Sequence, residues 1–470
     1  MNDSSAASPD DPPEISSANA VNSTLSGWGN YPKVNCTVHF QRQVDALRNL
    51  LVEGDVMSSI PRGLGRSYGD SSVNQDGVLV QTPRNRLLAL DEKTGCLTCE
   101  AGVSLEEVIQ CVLPKGWFLP TTPGTKFVTI GGAIAADVHG KNHHRDGTWG
   151  QHVKRLSLMV ADGTIMECSA HQNSDVFWAT VGGMGLTGIV LEATIQLMRV
   201  PSAYVEVTQR RASNMFEAFD LFLETDEQYK YSVAWIDCLS SRNKLGRSVL
   251  LSGNDAEVTS LKPKQAKSPW KLPAKRAKSV PFEFPGLAMN QLAIRAFNGL
   301  YYRKHGNRQM LMDFDSYFYP LDSINHWNRI YGKRGFVQYQ ALFPRDCSRE
   351  AMVKLLQIIS KSGQASFLAV LKSSGPANPG MLSYLFDGHT LALDFPFRGE
   401  KTIRLCHQLD QIMLEFGGRV YLAKDALIGA DTFAAMYPRL DEFKQLKHRL
   451  DPLTKFRSCQ SDRVGITEPR

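Results

Sequence analysis

The 470-residue chain lacks any run of eighteen apolar residues, so no segment of it is expected to cross a membrane as a helix. It also lacks a basic start. The first Lys or Arg is Lys33, behind Asp3, Asp10, Asp11 and Glu14, and no apolar stretch of a secretory leader precedes it. Metal-site spacing is missing as well: nine cysteines are scattered without a repeat, and Cys96-Leu-Thr-Cys99 has no second pair or His-x-His nearby to complete a zinc site. These absences lead to an expectation of mostly buried, reduced thiols in a cytoplasmic or membrane-peripheral protein. With 37 Gly, 23 Pro and 21% charged residues, the composition excludes collagen-like, disordered and disulfide-scaffold classes.

Acidic residues are absent from one segment. Residues 261–278, LKPKQAKSPWKLPAKRAK, hold seven basic residues, and subtracting them from 53 leaves 46 basic against 47 acidic residues. The formal charge of +6 therefore belongs to this segment. Three prolines and no apolar period predict a mobile loop over about 255–285. No helix-turn-helix, RNA-recognition or zinc-finger pattern accompanies it, which argues against nucleic acid as a partner. Anionic lipid headgroups or a substrate phosphate suit it better, giving an expected peripheral membrane contact.

The period of the apolar residues predicts an α+β fold and not a doubly wound sheet. Residues 1–25, rich in Ser, Asn, Asp and Pro, read as a disordered tail. A first domain is expected over 26–200, a substrate domain over 201–415 with a mainly antiparallel sheet, and a C-terminal return to the first domain over 416–470. Strands are expected at Leu97–Glu100, Leu156–Val160, Ile189–Leu197, Phe336–Leu342 and Thr390–Phe395. Helices are expected at Arg349–Lys361, Lys401–Phe416 and around Asp431–Arg449.

Three glycine-rich loops carry the chemistry. They are Arg62-Gly-Leu-Gly-Arg-Ser-Tyr-Gly-Asp70; Pro123-Gly-Thr125 with Thr129-Ile-Gly-Gly-Ala-Ile-Ala-Ala-Asp-Val-His-Gly140; and Thr180-Val-Gly-Gly-Met-Gly-Leu-Thr-Gly188. Glycines let backbone N–H groups converge on phosphate oxygens, and a pyrophosphate is the expected guest. The first loop has its third Gly one place late for a Rossmann fingerprint and no clear helix after it. No Gly-Lys-Ser/Thr occurs in these loops, which excludes a Walker A motif.

In combination, R-G-x-G-x-S-Y-G-D, P-G-T with T-x-G-G-A-I-A, and V-G-G-x-G-L-x-G resemble the FAD-binding module of the vanillyl-alcohol-oxidase type of flavoproteins. Within that family the resemblance is closest to the oxidases of polyprenylphosphoryl ribose. It is carried by Asp137-Val-His-Gly-Lys-Asn-His-His144, Phe177-Trp-Ala-Thr180, Ala234-Trp235, Tyr302-Arg-Lys304, Phe318-Tyr-Pro-Leu-Asp322, Gln338-Tyr-Gln340, Ala423-Lys-Asp425 and Met436-Tyr-Pro-Arg439.

The resemblance implies a two-part FAD domain plus a substrate domain covering the flavin. It implies that FAD is lined by Arg62, Gly63, Leu64, Gly65, Arg66, Ser67, Tyr68, Gly69, Asp70, Gly124, Thr129, Ile130, Gly131, Gly132, Ala136, His139, Ile189 and Tyr421. The first loop carries Arg66-Ser67-Tyr68 and no histidine, so non-covalent FAD is expected. In the mycobacterial enzymes a cysteine lies two residues before Asp-Phe-Pro, and here that place is Ala392.

Flavin oxidation of an alcohol needs a group that receives the hydroxyl proton. Lys424 is the first candidate, because a desolvated lysine is neutral enough to take it. His139 is a candidate proton relay, and Tyr68 completes the catalytic set. Lys141 and Lys372 are expected on a substrate phosphate, with Lys424, Tyr319, Gln338 and Gln340 on the sugar and flavin edge. His139, His143, His144 and His152 resemble a metal cluster, but the chemistry needs no metal and none is assigned.

The function implied is oxidation of the 2′-hydroxyl of a polyprenylphosphoryl ribose to a ketone. A partner NAD(P)-dependent ketoreductase would then complete epimerisation to the arabinose donor for cell-wall polysaccharide. The alternative is an FAD-dependent oxidase of a free sugar, alditol or aldonolactone.

Overall fold

The computed structural model describes residues 20–54, 56–285, 290–364 and 368–468. Its first region is built on two small sheets. Val34–Phe40, Val78–Val80 and Ile60–Arg62 run parallel, and Ala20–Leu25 is added antiparallel at the edge. The second sheet is antiparallel, in the order Leu87–Asp91, Cys96–Glu100, Ile189–Gln196, Val153–Met159, Ile165–Cys168. The Leu105–Val112 helix starts from a reciprocal cap, in which the Ser104 hydroxyl accepts from Glu107 N–H and the Glu107 carboxylate accepts from Ser104 N–H. That cap sits beside the second glycine loop, because Ser104 bridges to Thr129 and Leu105 N–H donates to the Val128 carbonyl.

An eight-stranded sheet makes the second region. Its order is Arg308–Asp313, Tyr204–Ala212, Ser248–Asp255, Tyr231–Ile236, Ala369–Ser374, Gly388–Pro396, Phe336–Pro344, Arg419–Val420, and every pairing is antiparallel. Period-two alternation gives this sheet two unlike faces. The helices Met215–Thr225, Ser348–Ser362 and Glu400–Glu415 cover one face, with Leu355, Leu356 and Leu409 wholly buried. Each such leucine contributes about 1.5–3 kcal/mol. The other face carries Gln338, Gln340, Lys372, Thr390 and Asp394 and meets the glycine loops.

The chain end returns to the first region. Ser59 bridges to Phe456, Arg457 N–H donates to the Ser59 carbonyl, and Cys459 N–H donates to the Val73 carbonyl. All nine cysteines are free thiols, five of them buried. Among the described residues no helix is long and apolar enough to cross a membrane.

Three expectations meet a different local structure. Residues 20–25, expected in the tail, form an exposed edge strand whose ladder with Val34–Phe40 is supported by Thr24 and Asn35 side chains 2.7 Å apart. Cross-strand polar pairing of this kind leaves no apolar period to read. Residues 1–19 lie outside the described residues.

The basic stretch expected to be a mobile loop is tied down. The Trp270 indole packs beside Gly116 and donates to the Val200 carbonyl at 3.1 Å, Lys275 pairs with Asp313 at 2.5 Å, and Lys278–Ser279 pairs with Ile324–Asn325. One half-buried aromatic and one ion pair anchor a segment whose composition alone predicts no core contact. Finally, the helical stretch around Asp431–Arg449 is two helices, Ala430–Met436 and Leu440–Leu450, parted at Pro438, which has no N–H to donate.

Candidate active site

The three glycine loops touch one another. A Cβ on Gly63 would lie 2.2 Å from Thr129 Oγ1, so only glycine lets the first loop close on the second. The third loop is hydrogen-bonded to the Ile130–Ala135 helix, from Gly182 N–H to the Ile134 carbonyl and from Met184 N–H to the Ala135 carbonyl. Thr129 caps that helix by accepting from Gly132 N–H at 3.1 Å. Among the described residues, the backbone N–H groups of Gly63, Leu64, Gly65, Arg66 and Ser67 have no protein acceptor. Gly124 stands beside open space, with nothing within 4 Å of where its Cβ would be. This row of free donors suits an anionic cofactor, and FAD fits it through its pyrophosphate.

Arg62 does not join that row. Its guanidinium lies beneath the loop, bonded to the Ser26 carbonyl at 2.7 Å and to Ser72, and it approaches Gly65, which holds a φ of +64°. Arg66 lies 4.0 Å over the Trp28 ring. Asp70 is turned away into an ion pair with Arg463, which also binds Asp425. Ile189 is fully buried in a separate cluster with Leu47, Leu51, Leu79 and Met159, so its side chain is remote from the lysines. Ile130 is likewise a core residue.

Lys424, Lys372 and Lys141 converge between the loops and the polar face of the sheet. Lys424 Nζ lies 3.7 Å from the centre of the Tyr68 ring. Burial pushes its amine down to about 7, opposed by the Asp394 carboxylate and reinforced by Lys372. Burial pushes Lys372 down to about 8, and burial with Lys372 pushes Lys141 down to about 7. Lys141 donates to the Tyr317 carbonyl and sits 4.2 Å above the Tyr317 ring, so it is partly committed within the protein.

Asp394 receives Gln338 Nε2 at 2.6 Å and Tyr331 OH at 3.1 Å, and burial pushes its carboxyl up to about 7. Tyr68 is held well above the ordinary phenol range by burial and the Asp394 charge, so it serves as a neutral donor and a ring beneath the ammonium.

His139 is joined to Gln340 at 3.0 Å through Nε2, and Gln340 also reaches Thr390. Burial and Lys372 hold its imidazole well below the usual range. The neutral ring accepts from the glutamine amide at Nε2 and so carries its proton on Nδ1, a buried atom with no partner in the protein. Tyr421 donates to the Ala136 carbonyl at 2.7 Å and lies 5.2 Å from His139, ring to ring. Tyr319 and Thr122 hydroxyls meet at 2.7 Å, joining the second loop to the substrate region.

The other histidines diverge: His143 Nδ1 accepts from Gly375 N–H, His144 donates to the Tyr229 carbonyl, and His152 donates to the Asp146 carbonyl. Among the described residues no group of three His, Cys, Asp or Glu is placed to hold a metal ion.

Comparison with known proteins agrees with this geometry. A family model described as an FAD binding domain matches residues 52–169, and one described as D-arabinono-1,4-lactone oxidase matches residues 393–464. A decaprenylphosphoryl-β-D-ribose oxidase of Mycolicibacterium smegmatis is 39% identical over 94% of this chain and 97% of its own length. The chain belongs to the decaprenylphosphoryl-β-D-ribose oxidase family. It is an FAD-dependent oxidoreductase. An uncharacterized protein of Streptomyces coelicolor is 31% identical over 77% of this chain and all of its own length. Mouse L-gulonolactone oxidase is more distant, at 24% over 86% of this chain and 88% of its own.

Sequence reasoning about this family member passed over Asp394, Tyr331, Thr390 and Tyr384, whose ring stacks 4.7 Å from that of Tyr421 and whose hydroxyl meets Thr390 at 2.7 Å. Asp394 opens the Asp-Phe-Pro motif and pairs in register with Gln338, which was the available signal. Half-buried Val233, Trp235, Val370, Lys372 and Ala392 alternate along three strands and form the open floor of the polar face. Ala392 lies directly opposite Gln340. The FAD-loaded Ala392→Cys variant is expected to gain one covalent adduct with a pocket-directed thiol reagent, read by peptide mass. No adduct at residue 392 would mean that ligands do not reach this floor.

Proposed function

We propose that this enzyme oxidises the 2′-hydroxyl of a polyprenylphosphoryl-β-D-ribose to the 2′-ketone, the first half of an epimerisation. A partner NAD(P)-dependent ketoreductase completes it to the arabinose-configured donor for cell-wall polysaccharide. The observation that carries this reading is the cluster of Lys141, Lys372 and Lys424 around one space, since a base alone requires one lysine and the other two suit an anionic substrate.

The free N–H row and the Nδ1–H of His139 would hold FAD without a covalent bond, and the bound cofactor would supply the acceptor for the hydride of the carbinol carbon. Lys424 takes the hydroxyl proton, and Tyr68 and Asp394 hold the lysine in place. Gln338 and Gln340 orient the sugar from the sheet, and Lys372 faces the phosphate as a point charge. Closure of the sheet over the loops excludes water from the reacting atoms.

The test is anaerobic flavin bleaching by farnesylphosphoryl ribose and by free aldonolactones, in the parent and in Lys372→Met. Bleaching by the phosphoryl ribose, with KM raised about 10–100-fold in the variant and the limiting rate little changed, is expected for a lost charge-assisted phosphate contact. Bleaching by a free lactone and by no phosphoryl ribose would instead select the aldonolactone oxidase reading, which the match over residues 393–464 favours.

A further inference from the structure

The helix Gln291–Lys304 has two faces that contradict ordinary patterning for a protein in water. Its inner side is anchored: Ile294 and Asn298 are buried, Asn298 donates to Asp237 at 2.8 Å, and the Tyr301 ring packs 4.5 Å from Trp235. Its outer side should be polar. Instead Leu292 is 78% exposed, Leu300 68% and Phe297 45%, with Ala293 and Ala296 exposed among them.

The remaining exposed positions are Arg295, Arg303 and Lys304, and the helix contains no acidic residue. None of these three cations forms an ion pair among the described residues. A helix that shows solvent large aliphatic and aromatic side chains bordered only by cations has the composition of one lying in a bilayer interface.

Its place in the fold gives that surface a purpose. Trp235, under the helix, pairs in register with Val370, two residues before Lys372, so the helix backs onto the floor of the substrate pocket. The preceding basic stretch adds six cations, Lys262, Lys264, Lys267, Lys271, Arg276 and Lys278, that also lack ion pairs among the described residues. A second copy of the chain is a poor occupant, because a two-fold contact through this face brings like charges together. An anionic lipid surface satisfies both the apolar and the cationic groups.

We propose that the outward face of the Gln291–Lys304 helix docks on an anionic bilayer and holds the pocket mouth against the membrane that carries the substrate's lipid tail. The inference rests on the lipid-linked substrate assigned above. Leu292 and Leu300 enter the headgroup boundary, and Arg295, Arg303 and Lys304 bind lipid phosphates.

The test is co-sedimentation of the FAD-loaded enzyme with vesicles of mixed phosphatidylcholine and phosphatidylglycerol. The parent is expected to bind, and Leu292→Gln combined with Leu300→Gln to lower the partition about tenfold or more. Arg295→Gln, Arg303→Gln and Lys304→Gln together should lower binding to the anionic vesicles only, leaving pure phosphatidylcholine unaffected. Flavin content and bleaching by water-soluble farnesylphosphoryl ribose should stay at the parent's values in both variants, which separates docking from folding and chemistry. Unchanged vesicle binding in the leucine variant would overturn the proposal, as would no binding by the parent, or a parent dimer that the leucine substitutions dissolve. Failure of the short-chain substrate to bleach the parent's flavin would count against the substrate assignment, and the vesicle result would still be read independently.

Discussion

Lys424→Met is expected to slow anaerobic flavin reduction by about 10²–10⁴-fold, the range of a lost general base, while the purified protein keeps its flavin absorbance. Lys424→Arg should not restore the rate, because a guanidinium stays protonated throughout the working pH range. The sign of the pH dependence is equally specific. Burial brings the amine down to about 7, so the proton-accepting neutral form fills in as pH rises through that value. The reduction rate at saturating substrate should therefore climb through about pH 7 and level above it.

The Asp394 carboxylate raises the lysine's affinity for its proton, so Asp394→Asn should move the ascending limb to lower pH. A rate that falls with rising pH in the parent would show Lys424 acting as a cation instead of a base.

Arg463→Ala carries the largest expected cost in stability. Its guanidinium binds Asp70 at 2.7 Å and Asp425 at 2.9 Å, and both carboxylates are only 5% exposed. Removing one partner from such a cluster leaves uncompensated buried charge and costs about 3–5 kcal/mol, measurable by denaturant unfolding.

The loss should depend on pH. Burial raises the Asp70 carboxyl, and Arg463 is among the groups that pull it back down. Without the arginine the folded-state Asp70 carboxyl stands further above its unfolded value, so stability is retained at low pH and lost as pH rises through the folded value. The gap between parent and variant should thus widen from mildly acidic to alkaline buffer. Because Asp70 ends the first glycine loop and Asp425 follows Lys424, the variant should also release FAD more readily; a variant as stable as the parent at every pH would remove this cluster from the architecture.

The elements that were legible beforehand share one property: their apolar period is local. Phe336–Leu342, Ile189–Leu197 and the helix around Arg349–Lys361 appear within a few residues of where alternation or helical spacing places them. The edge strand Ala20–Leu25 and the anchored basic stretch differ from expectation because their order comes from partners that no apolar period signals: Asn35 on the next strand for one, Val200 and Asp313 for the other. Arg62 and Asp70 belong to the first loop, as its pattern implies, but both side chains turn inward to hold it.

By itself the sequence determined a backbone suited to a pyrophosphate, and its resemblance to a flavoprotein family implied the cofactor. Three glycine loops of fixed spacing admit close backbone approach to a pyrophosphate wherever the rest of the chain goes, and glycine's missing side chain is a property of the residue. Only the tertiary structure decided that three lysines share one desolvated space and which face of the 291–304 helix is left in solvent. Lys141, Lys372 and Lys424 lie as far as 283 positions apart in the chain. Their proton affinities fall because the eight-stranded sheet closes over them and withdraws water, a desolvation that no local pattern encodes. In residues 291–304 it is the fold that buries Ile294 and Asn298 and leaves Leu292 and Leu300 facing outward.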